Sequence, residues 1–262
     1  MAFDFSPGQI EALRLLDEAF APTPWVLIGS VAIACQMEWT RETQDMDITV
    51  AIDVADVQNH LDSLPHSSES GVPEHRWITP QGVKVDLIPA GPGAIPRNSL
   101  RWPISGNIMS ITGMHLAFKY TLPYQITDDL VIQVAQLRVI LLLKMVAYLE
   151  HPYEREKDLQ DIATIISYQL PHDDERRWAS NIIDRLLDYE HVSALVMGRE
   201  LGEIIGENET LIVQKFAAKV RDDSDADTTQ FRLARFGPSE WRSNPDKMLK
   251  YIDEFMLGIA DH

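Results

Sequence analysis

The chain has 262 residues, a formal net charge of −17 at pH 7 and a pI of about 4.8. Its 45% hydrophobic and 24% charged residues are those of an ordinary soluble globular protein, long enough for one or two domains. The acidic balance argues against a broad basic face for nucleic acid and favours a cationic substrate or a basic partner protein, unless it serves solubility alone.

The single cysteine and the short apolar runs indicate a cytoplasmic location. Cys35 cannot form an internal disulfide, so a reducing compartment suits it, and we interpret it as a buried apolar residue rather than a nucleophile. The longest apolar run, residues 139–143, is bounded by Arg138 and Lys144 and is too short to span a bilayer. No N-terminal run resembles a signal peptide. We therefore expect a cytoplasmic protein with no membrane partner.

The first half of the chain mixes predicted helices and strands. Apolar residues at helical spacing and turn residues between them predict helices at residues 5–20, 31–37 and 53–64, the last beginning at Asp53. Apolar or alternating runs predict strands at residues 25–28, 45–52, 77–79, 83–88, 114–122 and 130–134. The pair on either side of Pro80-Gln81-Gly82 is predicted to form a hairpin.

After residue 135 the pattern becomes helical. Helices are predicted at residues 136–150, 154–168, 173–189, 192–205, 209–220 and 245–259. The acidic run 221–227 is expected to be a solvated loop, because it lacks the Gly and the distal Glu of a calcium loop. We predict an α+β fold, with an α/β domain around a small mixed β-sheet at residues 1–135 and a C-terminal helical domain at residues 136–262.

The most informative stretch of the chain places two carboxylates two residues apart. The apolar run Trp25–Ile28 is typical of a buried strand, and it ends at Gly29-Ser30. The alternation from Asp45 onward predicts a strand with Asp45 and Asp47 on one face. Like charges this close repel each other unless a cation lies between them, and Mg²⁺ prefers carboxylate oxygens.

A third carboxylate, Asp86, lies among apolar residues in the predicted strand 83–88. A strand beside 45–52 would bring it to the same ion, and we call Asp45, Asp47 and Asp86 the three-Asp cluster. Such a cluster next to a Gly-Ser turn suits two-metal phosphoryl or nucleotidyl transfer. The turn would let backbone N–H groups approach a phosphate. The alternative is that these are ordinary strand carboxylates and a tight strand-to-helix turn.

The ordered set of motifs resembles the nucleotidyltransferase superfamily of DNA polymerase beta. It comprises Gly29-Ser30, then Arg41-Glu42-Thr43-Gln44-Asp45-Met46-Asp47-Ile48, then Asp86. The Arg-x-Thr-x-Asp-x-Asp form resembles one branch, the AbiE-type toxin nucleotidyltransferases of bacterial abortive-infection systems. The further motif of that branch is matched by Lys144-Met145-Val146-Ala147 and Lys157-Asp158-Leu159-Gln160-Asp161-Ile162. Ser30 replaces the second Gly of many relatives.

The resemblance implies a Mg²⁺-dependent enzyme that moves a nucleoside monophosphate from an NTP to an acceptor hydroxyl and releases pyrophosphate. It implies metal binding by the three-Asp cluster, with Asp86 also helping to deprotonate the acceptor. Gly29 and Ser30 would contact the β- and γ-phosphates. Arg41 and Thr43 would touch the nucleotide or organise the loop.

The resemblance also brings three residues of the helical half into the active site. Lys144 would neutralise charge on the leaving pyrophosphate, and Asp158 and Asp161, one turn apart on a helix, would face the same site. We expect the acceptor to bind in a cleft between the domains, near Lys144 and Asp158. The structural alternative is a Lys144 that extends to solvent and an acidic helix face paired with Arg155 or Lys157.

The implied partners are an NTP, an acceptor that is a small molecule, a tRNA or a protein, and an antitoxin protein as a candidate. Two other functions stay open at this point. One is an antibiotic nucleotidyltransferase, since the acidic charge suits a cationic aminoglycoside. The other is a catalytically idle protein of this fold that binds a partner such as a cognate antitoxin.

Overall fold

The computed structural model describes residues 3–38, 43, 45–67, 71–183, 188–222 and 228–261. Its contacts divide the chain into two compact units, Met1–Ile140 and Leu141–His262. The predicted domain boundary after residue 135 stays a prediction, because this division falls inside a helix that begins at Leu137.

The first unit holds all the described strands. They are β1 Trp25–Ile28, β2 Asp45–Val50, β3 Arg76–Ile78, β4 Lys84–Pro89, β5 Ser99–Arg101, β6 Ile108–Ser110, β7 Thr121–Thr127 and β8 Leu130–Ala135. Its helices are α1 Pro7–Phe20, α2 Gly29–Ala34, α3 Val57–Ser63 and α4 Met114–Lys119, and α5 Leu137–Glu150 begins in it. Short 3-10 turns lie at Val54–Asp56 and Ile95–Arg97.

Six strands form one mixed sheet in the order β3-β4-β2-β1-β8-β7, and β5 and β6 pair separately. β2 is antiparallel to β1 and parallel to β4, while β3 is antiparallel to β4. The sheet is followed by a helical second unit. The predicted α+β class, with a small mixed sheet before a C-terminal helical part, is confirmed.

The strands form where burial alternates with exposure or is complete. All four residues of β1 are buried, as expected of an interior strand. Met46 and Ile48 of β2 and Val85 and Leu87 of β4 face the core, while Asp45, Asp47 and Asp86 lie at half-buried positions on the other face. The sheet therefore presents these carboxylates without placing them in the apolar core.

The second unit is built from helices around a buried apolar core. After α5 they are α6 Glu156–Ser167, α7 Ser180–Ile183, α8 Val192–Gly202, α9 Glu207–Arg221, α10 Thr229–Phe236, α11 Ser239–Ser243 and α12 Pro245–Ile259. Helices α8 and α12 meet backbone to backbone, because a Cβ on Gly198 would lie 2.0 Å from the carbonyl oxygen of Phe255. None of the described helices is both long and apolar enough to cross a membrane.

Several predicted elements differ from the structure. The predicted strand 114–122 is wrong, since α4 occupies Met114–Lys119 and the strand β7 begins at Thr121. The predicted helix 173–189 is broken into a 3-10 turn at Glu175–Trp178 and α7, and residues 184–187 lie outside the described residues. α10 and α11 were not predicted. The acidic run 221–227 lies mostly outside the described residues.

Asp53 precedes the predicted third helix but does not cap it with its side chain. Its Oδ1 instead accepts a hydrogen bond of 3.0 Å from the backbone N–H of Gly93. The carboxylate is thus used by a neighbouring loop, and the helix begins with a 3-10 turn at Val54.

Candidate active site

The strand register places the three-Asp cluster on one face of the sheet. Asp47 lies directly opposite Asp86 in the parallel pair of β2 and β4. Residues opposite each other on neighbouring strands share a face, and Asp45 lies on that face because it is two residues from Asp47. The three carboxylates are therefore neighbours, held by two interior strands.

Gly29 directly follows β1 and is the first residue of α2, and it lies against Asp47. Its φ of +70° lies in the left-handed region, and a Cβ built on it would lie 2.1 Å from Oδ2 of Asp47. Only glycine permits both the turn and the close approach of this carboxylate. Ser30 follows in the first turn of α2 and is buried.

Arg76 is a fourth charged residue of this site, and the sequence analysis missed it. It lies opposite Asp86 in the antiparallel pair of β3 and β4. Its Nε donates to Oδ1 of Asp86 at 2.6 Å, and its Nη2 donates to Oδ2 at 2.7 Å. The same Nη2 lies 3.2 Å from Oδ2 of Asp45. Arg76 thus forms a bidentate ion pair with one carboxylate of the cluster and touches a second.

A signal for Arg76 was present in the sequence. The predicted hairpin around Gln81 pairs Ile78 with Lys84 and Trp77 with Val85, and the next pair is Arg76 with Asp86. The predicted strand began one residue too late, at Trp77, so this last pair was not considered. Counting outward from the hairpin centre would have placed a guanidinium opposite the third carboxylate.

Other charged or titratable side chains also face the cluster. The hydrogen bond to Asp86 raises the pKa of Arg76 above its ordinary value, so its charge is permanent. Nε2 of His75 lies 4.0 Å from Oδ1 of Asp86, and the imidazole ring packs 5.3 Å from the ring of Trp102. Lys84 lies opposite Asp45 in the strand register.

The donor set suits a divalent cation in its chemistry, because Mg²⁺ takes carboxylate oxygens. The three carboxylates carry −3, and Arg76 and Lys84 on the same face carry +2, so one such ion would already more than balance the net charge. In the described parts of the chain, no three His, Cys, Asp or Glu side chains are already gathered closely enough to hold a metal. By donor chemistry, Asp45 and Asp47 would be the residues to hold one divalent ion, because Arg76 engages both oxygens of Asp86.

The loop before β2 is described only in part. Oγ1 of Thr43 donates to the backbone oxygen of Asp45 at 3.2 Å, so Thr43 fixes the entry into the strand. Arg41 lies outside the described residues. Contact of either residue with a nucleotide stays a prediction.

The second unit gathers Lys144, Asp158 and Asp161, which we call the Lys144 cluster. Nζ of Lys144 lies 2.7 Å from Oδ1 of Asp158 and 2.8 Å from Oδ2 of Asp161. The side chains are 13%, 6% and 0% exposed, in that order. The predicted alternative of a lysine extended to solvent is therefore wrong. Arg155 approaches Asp158 only at 3.5 Å, so the lysine is the closer partner. The role of the Lys144 cluster at the nucleotide stays a prediction.

A cavity of about 550 Å³ opens beside Arg76 in the first unit. Its lining includes Arg76, Trp77, His66, Asp62 and Glu74. Glu74 is held in place by hydrogen bonds from the Ser105 hydroxyl, at 2.6 Å, and from two backbone N–H groups. Arg76 thus lines this cavity and also contacts two carboxylates of the three-Asp cluster.

The surroundings of Cys35 disfavour a nucleophilic thiolate. Burial raises the pKa of its thiol from 9.0 to about 12. A thiol with this pKa holds almost no thiolate near neutral pH, and the thiolate is the reactive form. This favours the interpretation as a structural residue, although Cys35 is half-buried and not buried as predicted.

Comparison with known proteins yields a distant structural likeness. No family model matches the chain, and no curated protein matches it in sequence. Six chains of known structure match. One is the crystal structure of a candidate nucleotidyltransferase from H. pylori, at 10% identity and a TM-score of 0.36, covering 98% of this chain and 97% of that one. A likeness at this level does not assign an activity to this chain.

Proposed function

We propose that this protein is a divalent-metal-dependent nucleotidyltransferase. The observation that carries the proposal is the strand register that sets Asp45, Asp47 and Asp86 on one face of the sheet, beside the left-handed Gly29. Clustered carboxylates next to a strand-to-helix turn are the donor set that nucleotidyl transfer requires. The ordered motifs described above support the same assignment.

In the proposed reaction an acceptor hydroxyl attacks the α-phosphorus of an NTP, and the bond to the bridging oxygen of the β-phosphate breaks. Asp45 and Asp47 would hold Mg²⁺, which supplies charge stabilisation at the phosphoryl oxygens. The acceptor's proton passes to a base, and pyrophosphate leaves. Both oxygens of Asp86 accept hydrogen bonds from Arg76, so Asp86 acts as that base only after Arg76 has moved.

The Lys144 cluster enters the proposal in a limited way. The charge of Lys144 is shared between two aspartates within its own unit. The motif resemblance supports a role at the pyrophosphate, while the pairing supports a role in holding α5 to α6.

The finer proposal, a toxin of a toxin–antitoxin pair with a tRNA, a protein or a small molecule as acceptor, is supported by the Arg-x-Thr-x-Asp-x-Asp form of the motif. An aminoglycoside acceptor is supported by the net charge of −17, which favours cationic substrates.

A second function is favoured by a specific observation. The bidentate pair of Arg76 and Asp86 neutralises one of the three carboxylates, as in a site that has stopped binding metal. A protein of this kind would bind a partner without transferring a nucleotide. A measurement of nucleotide transfer distinguishes the enzyme from the binding protein.

The test is incubation of the protein with each NTP in turn, with Mg²⁺ or with EDTA, together with total RNA, protein and an aminoglycoside panel, followed by mass spectrometry. A mass increase of one nucleoside monophosphate on one acceptor class supports transfer. Asp47→Asn is the control variant, since it keeps the volume and removes a metal-binding charge. Equal product from Asp47→Asn would contradict the assigned site, and no product with any NTP would favour the binding protein.

A further inference from the structure

Arg76, Asp86 and Asp47 form one row across three strands. Arg76 is the register partner of Asp86 on one side, and Asp47 is its partner on the other. In order, the row consists of a cation, a carboxylate that contacts it, and a second carboxylate. Because cross-strand partners share a face, this order is fixed by the backbone and does not depend on a chosen rotamer.

Both oxygens of Asp86 are engaged by the guanidinium, at 2.6 and 2.7 Å. A guanidinium has donors in a planar fork that matches a carboxylate, so this is the strongest geometry available to the pair. A metal ion bound to Asp86 would lie next to a fixed positive charge. Asp45 accepts a single hydrogen bond from Arg76, at 3.2 Å, and Asp47 lies one register position beyond Asp86 from Arg76.

The charge balance on this face of the sheet also favours one bound ion over two. Three carboxylates carry −3, and Arg76 and Lys84 together carry +2. Two divalent ions would add four positive charges to this face, whereas one would add two. Nearby positive charges lower the affinity for each further cation.

We propose that Arg76 takes the place of a second metal ion, so that in the absence of nucleotide the site holds one divalent ion on Asp45 and Asp47 while Asp86 is paired with Arg76. This inference rests on the proposed function only in treating the cluster as a metal site. Arg76 is then a positioning residue: it sets the number of ions by occupying Asp86. Removal of its charge frees Asp86 and creates a second ion site.

The test is a count of bound Mn²⁺ on the full chain by electron paramagnetic resonance, with the metal alone and no nucleotide. The wild-type chain is expected to bind one ion per chain, and Arg76→Gln two. Lys84→Gln is the matched control, since it removes a cation from the same face but leaves the pair intact; it is expected to bind one ion. The double variant Arg76→Gln/Asp86→Asn is also expected to bind one, because the second ion needs Asp86.

The net charge of −17 attracts further ions loosely, and the double variant measures that background. If Arg76→Gln unfolds, Arg76→Lys replaces it: a lysine lacks the bidentate fork, so a second ion is expected to bind at least tenfold more weakly than the first. One ion in both Arg76 variants, or two in the wild type, overturns the inference. In either case loss of the ion in Asp47→Asn leaves the proposed function standing. Binding unchanged in Asp47→Asn, or no Mn²⁺ bound at all, removes the metal site itself.

Discussion

Lys144→Met offers the sharpest test of how the second unit is held together. The substitution keeps an unbranched side chain of similar length and removes the ammonium group, with its charge and its hydrogen-bond donors. It leaves Asp158 and Asp161, with side chains 6% and 0% exposed, as two like charges without their closest cation. Breaking a buried pair by removing one partner costs about 3–5 kcal/mol, so we expect a loss of that size in the free energy of unfolding.

The assay is urea unfolding followed by circular dichroism, with hydrogen exchange of α5 and α6 amides to locate the loss in the second unit. With a slope of about 2 kcal/mol per M, a loss of about 4 kcal/mol lowers the midpoint by about 2 M. The triple variant Lys144→Met/Asp158→Asn/Asp161→Asn removes every charge and is expected to recover most of the loss, because no buried charge is left unpaired. A loss below about 1 kcal/mol in Lys144→Met, the range of solvent-exposed pairs, would refute this reasoning.

Further expected outcomes concern the first unit and the response to pH. Gly29→Ala should destabilise the fold by about 2 kcal/mol or more and weaken Mn²⁺ binding, because a Cβ at φ +70° lies 2.1 Å from Asp47; an unchanged denaturation midpoint would contradict this. Cys35 should react with a thiol reagent at pH 8 about a thousandfold more slowly than a free thiol until urea unfolds the chain, since its pKa is raised from 9.0 to about 12. The hydrogen bond from Arg176 holds the pKa of Asp174 below its ordinary value, so its contribution to stability is present above about pH 4 and lost as the pH falls through the lowered pKa. Asp174→Asn should therefore lose less stability than the wild type between about pH 5 and pH 3; parallel pH profiles would contradict this.

Strands were predictable where apolar and polar residues alternate, because this alternation indicates that one face of the strand is buried. β2 and β4 carry apolar residues at every second position, and this pattern alone predicted that Asp45 and Asp47 share a face. α4 was missed because its six residues are too few to establish a helical period. The N-cap of α4 is Gly113, at a φ of +81°, and a lone glycine does not reveal this conformation in the sequence.

The two charged clusters differ in how far the sequence could predict their pairing. A hairpin has a register, so the partner of Asp86 follows by counting from the turn. Helices have no such register: the one-turn spacing of Asp158 and Asp161 predicted that they share a face, but not that Lys144 on another helix lies between them. That contact depends on how α5 packs against α6, which the spacing of residues along either helix does not determine.

The position of β3 in the sheet affects how readily Arg76 can move away from the carboxylates. β3 has three residues and lies at the edge of the sheet, whereas β2 is hydrogen-bonded to a neighbour on each side. Local opening costs less free energy at an edge than in the interior, so amides of β3 should exchange with solvent deuterium sooner than those of β2. Arg76 is therefore carried by an edge strand, and Asp45 and Asp47 by an interior strand. The guanidinium can therefore leave and return through fraying of a single strand end, while the carboxylates keep their positions throughout.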